Sequence, residues 1–371
     1  MVEPTHATGE GTRRFRERFA ARSAEGHFRE ALGVSVSSVG MGTYLGDPDA
    51  ATDRRYADTV VAAFARGCNL IDTAINYRFQ RSERAIGEGL RRAFNDGGTR
   101  REEVVIATKG GFLPYDGAFP ADPSTYLQHN YADAGIADFD DLVGGCHCMT
   151  PRFLRDQIDR SRRNLGLVCL DLYFLHNPEQ QLEEVSRKDF RRRIRGAFAA
   201  LEEAAEEGKI RWYGLATWDG LLLPPEAKGH LSLQELVEVA AEVAKGKPRL
   251  RAIELPYSLV RPDAAVVRTQ EWNGEGATVL EAARKLGLAV LASAPFAQGK
   301  LARVAPDWTV EAFPGLKTPA QRALHFVRST PGVTTVLAGM SRVSHAEENL
   351  AISNVSPLAP PAARELLARV A

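Results

Sequence analysis

Cysteine is scarce in this chain, with four in 371 residues. Cys68 and Cys169 lie in apolar, strand-like runs and read as buried thiols. Cys146-His147-Cys148 is the one cluster of metal-like composition. A structural zinc site takes four ligands, and a CxC pair is a weak signal for one, so no metal is assigned. Long apolar runs are missing too. None reaches the roughly 18 residues that span a bilayer, so no membrane partner is expected. The N-terminal stretch MVEPTHATGEGTRRFRERFAARSAEG lacks the apolar centre of a secretory signal. Its arginines are interleaved with Glu3, Glu10, Glu17 and Glu25, which argues against a transit peptide and for a solvated helix or arm. Few cysteines and no signal point to the cytoplasm. A surplus of either charge is also absent. The 47 basic side chains balance 47 acidic ones, whereas a general polyanion binder is usually basic, so nucleic acid is not expected as a partner.

What is present is ordinary for a soluble protein: 44% hydrophobic and 25% charged residues, enough for a large core. Short β-rich apolar runs alternate with helical stretches. Strands are expected at 36–43, 68–72, 104–108, 171–175, 210–215, 252–255, 289–291 and 334–337. Helices are expected at 53–66, 82–94, 151–165, 191–207, 233–245, 277–286, 319–329 and 344–352, with one more at 361–370. Pro151 suits a helix start, and Gly208 and Gly287 suit helix ends. Eight strand-helix pairs in order imply a parallel sheet, and over about 320 residues they favour a closed (β/α)8 TIM barrel as a single domain. On this reading residues 1–34 form an arm and a candidate barrel-bottom hairpin, 35–355 the barrel, and 356–371 a terminal helix. The stretch from Phe112 to Met149 is long, aromatic and aperiodic. It follows the third strand, so it should overhang the active face as a lid or binding element. Its Tyr115, Phe119, Tyr126, Tyr131 and Phe139 are candidates for pocket walls.

Barrel active sites sit at the C-terminal ends of the strands, where four polar residues fall. Asp72 ends the second strand and Tyr77 follows in its loop. Lys109 ends the third strand and His176 the fourth. Any one of them alone is unremarkable, as an N-cap, a rim residue, a solvated lysine or a structural histidine. Together, on adjacent strands, they share one mouth. The combination suits reduction of a carbonyl, which needs a hydride donor and a proton for the developing alkoxide. A tyrosine can supply the proton, a nearby ammonium makes it more acidic, and a buried lysine needs a carboxylate partner. Asp72 would hold Lys109, Lys109 would tune Tyr77, and His176 would orient the carbonyl.

The segments GCNLIDTAINY, VVIATKGG, LDLYFLHNPE, GKIRWYGLATWD, LAVLASAPFAQGKL and VLAGMSRVSHAEENL, in this order, resemble the aldo-keto reductase superfamily over residues 35–355. The resemblance implies that Asp72, Tyr77, Lys109 and His176 form its catalytic tetrad. It also implies NADP(H), laid across the barrel mouth. Gly42, Thr43 and Tyr44 resemble residues beside the nicotinamide. Pro295, Phe296, Ala297, Gln298, Gly299 and Lys300 resemble the pyrophosphate loop. Ser341 and Arg342 resemble the grip on a 2′-phosphate, and bidentate arginine chemistry favours NADP over NAD. His345, Glu348 and Asn349 resemble positions around adenosine.

Several positions depart from that family. Its Ser-Asn after the fifth strand is Ala216-Thr217 here, its glutamine on the sixth strand is Glu254, and its stacking aromatic on the seventh is Ser293. Thr217 and Glu254 would replace the carboxamide contacts, with Trp218 or Tyr257 as substitute stacking faces. Arg78 stands where a glycine is common. Two alternatives stay open beside a reductase of an aldehyde, ketone or sugar carbonyl, the first of them motivated by these departures. One is a barrel enzyme using the same groups for lyase or isomerase chemistry, and the other is a cofactor-binding regulatory subunit. Substrate identity and oligomeric state are not set by the sequence.

Overall fold

In the computed structural model, which describes residues 4–370, eight parallel strands close into one barrel. They are β1 (Val39–Gly42), β2 (Leu70–Asp72), β3 (Val105–Gly110), β4 (Leu170–His176), β5 (Ile210–Ala216), β6 (Leu250–Pro256), β7 (Ala289–Ser293) and β8 (Thr335–Gly339). Closure comes from β8 on β1, in register from Val336 opposite Val39 to Gly339 opposite Gly42. The expected fold class holds.

The helices between the strands are α1 (Ala50–Phe64), α2 (Arg81–Asn95), α3 (Pro151–Leu165), α4 (Arg187–Glu206), α5 (Leu233–Val243), α6 (Val279–Leu286), α7 (Pro319–Ser329) and α8 (Val343–Leu350). Local chemistry sets their ends. Asp49 caps α1 by accepting from Thr52 N at 2.6 Å, so the helix starts earlier than the expected residue 53. Ser186 caps α4 through Asp189 N, which adds a turn before Arg191. Residue 277 is not helical, because Glu275–Ala277 pairs with Gln270–Trp272 in a small hairpin. The helix begins after it, in a reciprocal cap between Thr278 and Glu281. Such caps satisfy amide donors that a helix start leaves free, each contributing about 1 kcal/mol.

Inside the ring, Leu70, Val105, Ala107, Leu172, Phe174 and Leu291 fill the barrel, and Val34, Val36 and Ala7 join them from the bottom. Val34 and Val36 belong to an antiparallel hairpin, Phe28–Ala31 with Val34–Ser37, which follows the N-terminal helix Gly9–Phe19. A larger apolar layer between strands and helices forms the main core. Among the described residues, no helix is long and apolar enough to cross a membrane.

The segment after β3 is ordered around its own small core. It holds a short helix Pro123–Leu127 running into a wider turn Gln128–Ala132. Leu113, Leu127, Tyr131, Leu142, Cys148 and Phe153 pack together there.

Candidate active site

A cavity of about 670 Å³ opens at the C-terminal ends of the strands. Asp72, Tyr77 and His176 line it. Lys109 sits beside them, 1% exposed. Its Nζ donates to Asp72 Oδ1 at 2.6 Å and to Thr73 O at 3.1 Å. It also lies 5.2 Å from the centre of the Tyr77 ring. The Tyr77 and His176 rings meet edge to face at 5.9 Å. Four groups from three strands and one loop therefore converge as the spacing implied.

The electrostatics differ from the simple expectation. Burial works against the Lys109 charge, but Asp72, Glu254 and Tyr77 together raise its pKa, so it is held as an ammonium. Burial pushes the Tyr77 phenol well above the ordinary tyrosine range. The Lys109 ammonium pulls it down, and the carboxylates of Asp72 and Glu254 push it back up. Lysine alone was expected to make Tyr77 more acidic; the dry surroundings, and after them the neighbouring acids, outweigh it. His176 is held neutral, far below the usual imidazole range, by burial and then by Lys109 and His147. A neutral ring carries one N–H and can orient a carbonyl oxygen without adding a second cation.

Glu254 is the addition that changes the charge count. It rises from β6 to place Oε2 3.3 Å from Lys109 Nζ. One ammonium is thus shared by two carboxylates, with both acids about 5% exposed or less. Glu254 Oε2 and Thr217 Oγ1 line the cavity without hydrogen-bond partners, as does Asn76 Oδ1.

The Tyr77 loop is held under strain. Arg78, Phe79 and Gln80 follow it with φ of 48°, 59° and 68°. Left-handed residues other than glycine cost about 1–3 kcal/mol each, so something must pin them. Arg78 donates to Asp53 at 2.7 Å and lies over the Tyr56 ring at 4.7 Å. Arg81 also pairs with Asp53, and Asn164 donates to Gln80 Oε1 at 3.1 Å.

His176 is held from the segment above it. His147 Nε2 donates to His176 O at 2.7 Å. Its Nδ1 accepts from Gln181 at 2.8 Å, and Gln181 Oε1 accepts from Arg193 at 2.5 Å. Gly111, at φ +138°, permits this approach, because a Cβ there would lie 3.0 Å from both His147 Nε2 and His176 O. Phe112 then meets the His176 ring edge-on at 4.9 Å. His147, weighed in the sequence only as a weak metal ligand, is committed to this chain of bonds. No sequence signal marks it, because its partner is a backbone carbonyl 29 residues away.

Most residues assigned to a dinucleotide line the cavity: Gly42, Thr43, Tyr44, Thr217, Glu254, Pro295, Phe296, Gln298, Gly299, Ser341, His345, Glu348 and Asn349. Ala297, Lys300 and Arg342 do not line it, and Lys300 and Arg342 are solvent-exposed. The loop after β7 is contorted, with Ala294, Ala297 and Gln298 at φ of 50°, 46° and 60°. Helix α8 starts without a side-chain cap, which leaves its first amides beside Ser341 and Arg342.

Two expectations about the walls are corrected. Tyr115, Phe119, Tyr126, Tyr131 and Phe139 are absent from the cavity lining. Tyr115 packs on Phe119 at 5.0 Å and Tyr126 at 5.2 Å, and Tyr131 packs on Phe153 at 5.7 Å. The apolar wall comes instead from Phe112, Tyr44, Leu45 and Trp218. Tyr257 cannot serve as a stacking face, because it is buried against Phe326 at 6.1 Å with its hydroxyl on Thr330. Trp218, 42% exposed at the mouth, remains available.

Residues 38–307 match the aldo/keto reductase family. Among curated proteins, the NADH-specific methylglyoxal reductase of Escherichia coli is 29% identical over 191 residues, which is 50% of this chain and 50% of that one. Among solved structures, the holo form of an aldo-keto reductase from Bacillus halodurans superposes with a TM-score of 0.62 at 20% identity, covering 93% of this chain and 96% of the other. An aldo/keto reductase from Klebsiella pneumoniae, in complex with NADP and acetate, gives 0.60 at 19% identity, covering 92% and 94%.

Proposed function

Since the chain belongs to the aldo/keto reductase family, we propose that it is an NADP(H)-dependent oxidoreductase that reduces an aldehyde, ketone or sugar carbonyl, with Tyr77 as proton donor. The observation that carries this reading is the convergence of Asp72, Tyr77, Lys109 and His176 at one end of the cavity. Nicotinamide, when bound, supplies the hydride. The cavity fits such a group. Buried acceptors without partners at Thr217, Glu254 and Asn76 suit a carboxamide, and the uncapped start of α8 with Arg342 suits a phosphate.

Each protein group has a defined task. The Tyr77 phenol stays protonated at rest and gives its proton to the substrate oxygen as negative charge grows there. Lys109, fixed as an ammonium, opposes the negative charge left on the phenol, and Asp72 keeps that ammonium in place. His176, neutral and aimed by His147, orients the carbonyl oxygen. Tyr44 meets the Tyr77 ring and Phe112 the His176 ring edge to face, so the reacting groups have apolar neighbours, which strengthens each of these interactions.

The 2′-phosphate preference rests on Arg342, which among the described residues makes no ion pair. NADH specificity belongs to the Escherichia coli relative's name, so both dinucleotides are to be compared. A second reading, proton chemistry without hydride transfer, is favoured by one feature: Ser293 offers no ring against which a nicotinamide could stack. Titration of tryptophan fluorescence with NADPH, followed by loss of NADPH absorbance over a panel of carbonyls, separates the two. Binding and turnover are expected, with turnover abolished and binding kept in Tyr77→Phe. Binding absent at tens of micromolar would favour the second reading, and unchanged turnover in Tyr77→Phe would remove Tyr77 as donor.

A further inference from the structure

The charge count at Lys109 leads further. Two carboxylates, Asp72 from β2 and Glu254 from β6, contact one buried ammonium. Fully ionised, the trio would carry a net negative charge in a dry site. The groups facing Glu254 do not relieve this. Its register partners on the flanking strands are Ala216 and Leu291, both apolar. The charged or titratable groups that act on it are Asp72 and Lys109, and beyond them stand the Tyr77 phenol and the neutral His176. Two like charges in one low-dielectric site do not both ionise at neutral pH; one acid keeps its proton.

Geometry decides which acid keeps it. Lys109 makes its short hydrogen bond to Asp72, at 2.6 Å, whereas Glu254 Oε2 stands off at 3.3 Å with no hydrogen bond completed. Burial raises the Asp72 carboxyl too, with Lys109 opposing, but the closer contact makes Asp72 the ionised partner and Glu254 the neutral acid. We propose that Glu254 tunes the proton donor: neutral, it leaves the Lys109 ammonium free to favour proton release from Tyr77, and ionised, it opposes that release. A glutamine at this position would have no such second state. Burial and the neighbouring Asp72 push the Glu254 carboxyl up to about 8, with Lys109 opposing. The switch therefore lies within reach of ordinary assay conditions. In this role Glu254 acts through Lys109 and is a positioning residue.

The inference rests on the reductase reading for its catalytic consequence but not for its proton, so the test has two arms. Infrared spectroscopy of the protein without any ligand reads the C=O stretch of a protonated carboxylic acid. A component of that band is expected at pH 7 that fades as pH rises through about 8, and this component should be missing in Glu254→Gln. Glu83 and Glu179, two more buried acids held above their usual range, are common to both proteins, and whatever they contribute cancels in the difference spectrum. The second arm is the pH profile of NADPH-dependent turnover. Wild type should fall about tenfold between pH 7 and 9, following the Glu254 ionisation. Glu254→Gln should stay nearly flat over the same range, and Glu254→Asp should restore a downturn. A band that survives Glu254→Gln but vanishes in Asp72→Asn would overturn the assignment, as would superposable pH profiles. If the band behaves as stated but no carbonyl is ever reduced, the reductase reading fails while the acid pair stands.

Discussion

Lys109 has two carboxylate partners, so removing either should cost far less than removing both. Breaking a buried ion pair by deleting one partner ordinarily destabilises by about 3–5 kcal/mol, because a charge is left stranded. In Asp72→Asn, Glu254 is already 3.3 Å from Nζ and takes over by ionising. The expected loss is then limited to about 1–2 kcal/mol for the short hydrogen bond at 2.6 Å. Glu254→Gln removes the neutral acid and leaves the Asp72 pair intact. Its effect on stability has a definite sign. The Glu254 carboxyl is raised from 4.5 to about 8 in the folded state. Between those values the folded chain holds a proton that the unfolded chain has released, so stability contributed by the proton is present below 4.5 and lost as pH rises toward 8. Glu254→Gln escapes that loss and should be as stable as wild type near pH 4.5 and progressively more stable up to about 8. The double variant strands the ammonium and should lose about 3–5 kcal/mol. Urea unfolding of the four proteins at pH 7, followed by far-ultraviolet circular dichroism, gives the coupling directly. Losses that add to within about 0.5 kcal/mol would show that Lys109 is not shared and would refute the reasoning.

His147→Ala should leave the His176 carbonyl without the imidazole donor at 2.7 Å, at about 1–3 kcal/mol, and reduce turnover more than substrate binding; steady-state kinetics reads the split. The His147 imidazole is lowered to about 4 from 6.5 by burial. Protection of the 112–149 segment against amide exchange should therefore decline as pH falls from 6.5 toward 4 and be steady above that window. Arg342→Ala should weaken NADPH binding about tenfold or more while barely changing NADH, by fluorescence titration; equal effects on both would remove Arg342 as the phosphate grip. Arg78→Gly exchanges a pinned left-handed residue for a free one. It should lower turnover while moving the unfolding midpoint little, since relieved strain offsets part of the lost Asp53 contact.

Much of this protein was legible as a string. Alternating strand and helix signals gave the barrel, since eight βα units have few other closed arrangements. The ends of the second, third and fourth strands carried Asp72, Lys109 and His176, and a barrel puts adjacent strand ends at one mouth. Helix-end signals such as Pro151 at the start of α3 and Gly287 after α6 were local and so could be read locally. Other properties depended on distance in space. Glu254 lies 145 residues from Lys109 in sequence yet shares its ammonium, and only chain closure brings β6 opposite β3. Burial, which also exists only in the closed barrel, reversed the expected direction for Tyr77, with Asp72 opposing the pull of Lys109. The aromatic residues of the 112–149 segment announced a wall, but Tyr115, Tyr126 and Tyr131 pack into the segment's own small core while Phe119 and Phe139 face solvent, which leaves the cavity only Phe112. Composition and periodicity fixed which elements form; the low dielectric and the through-space charges that govern the chemistry exist only once the ring is shut.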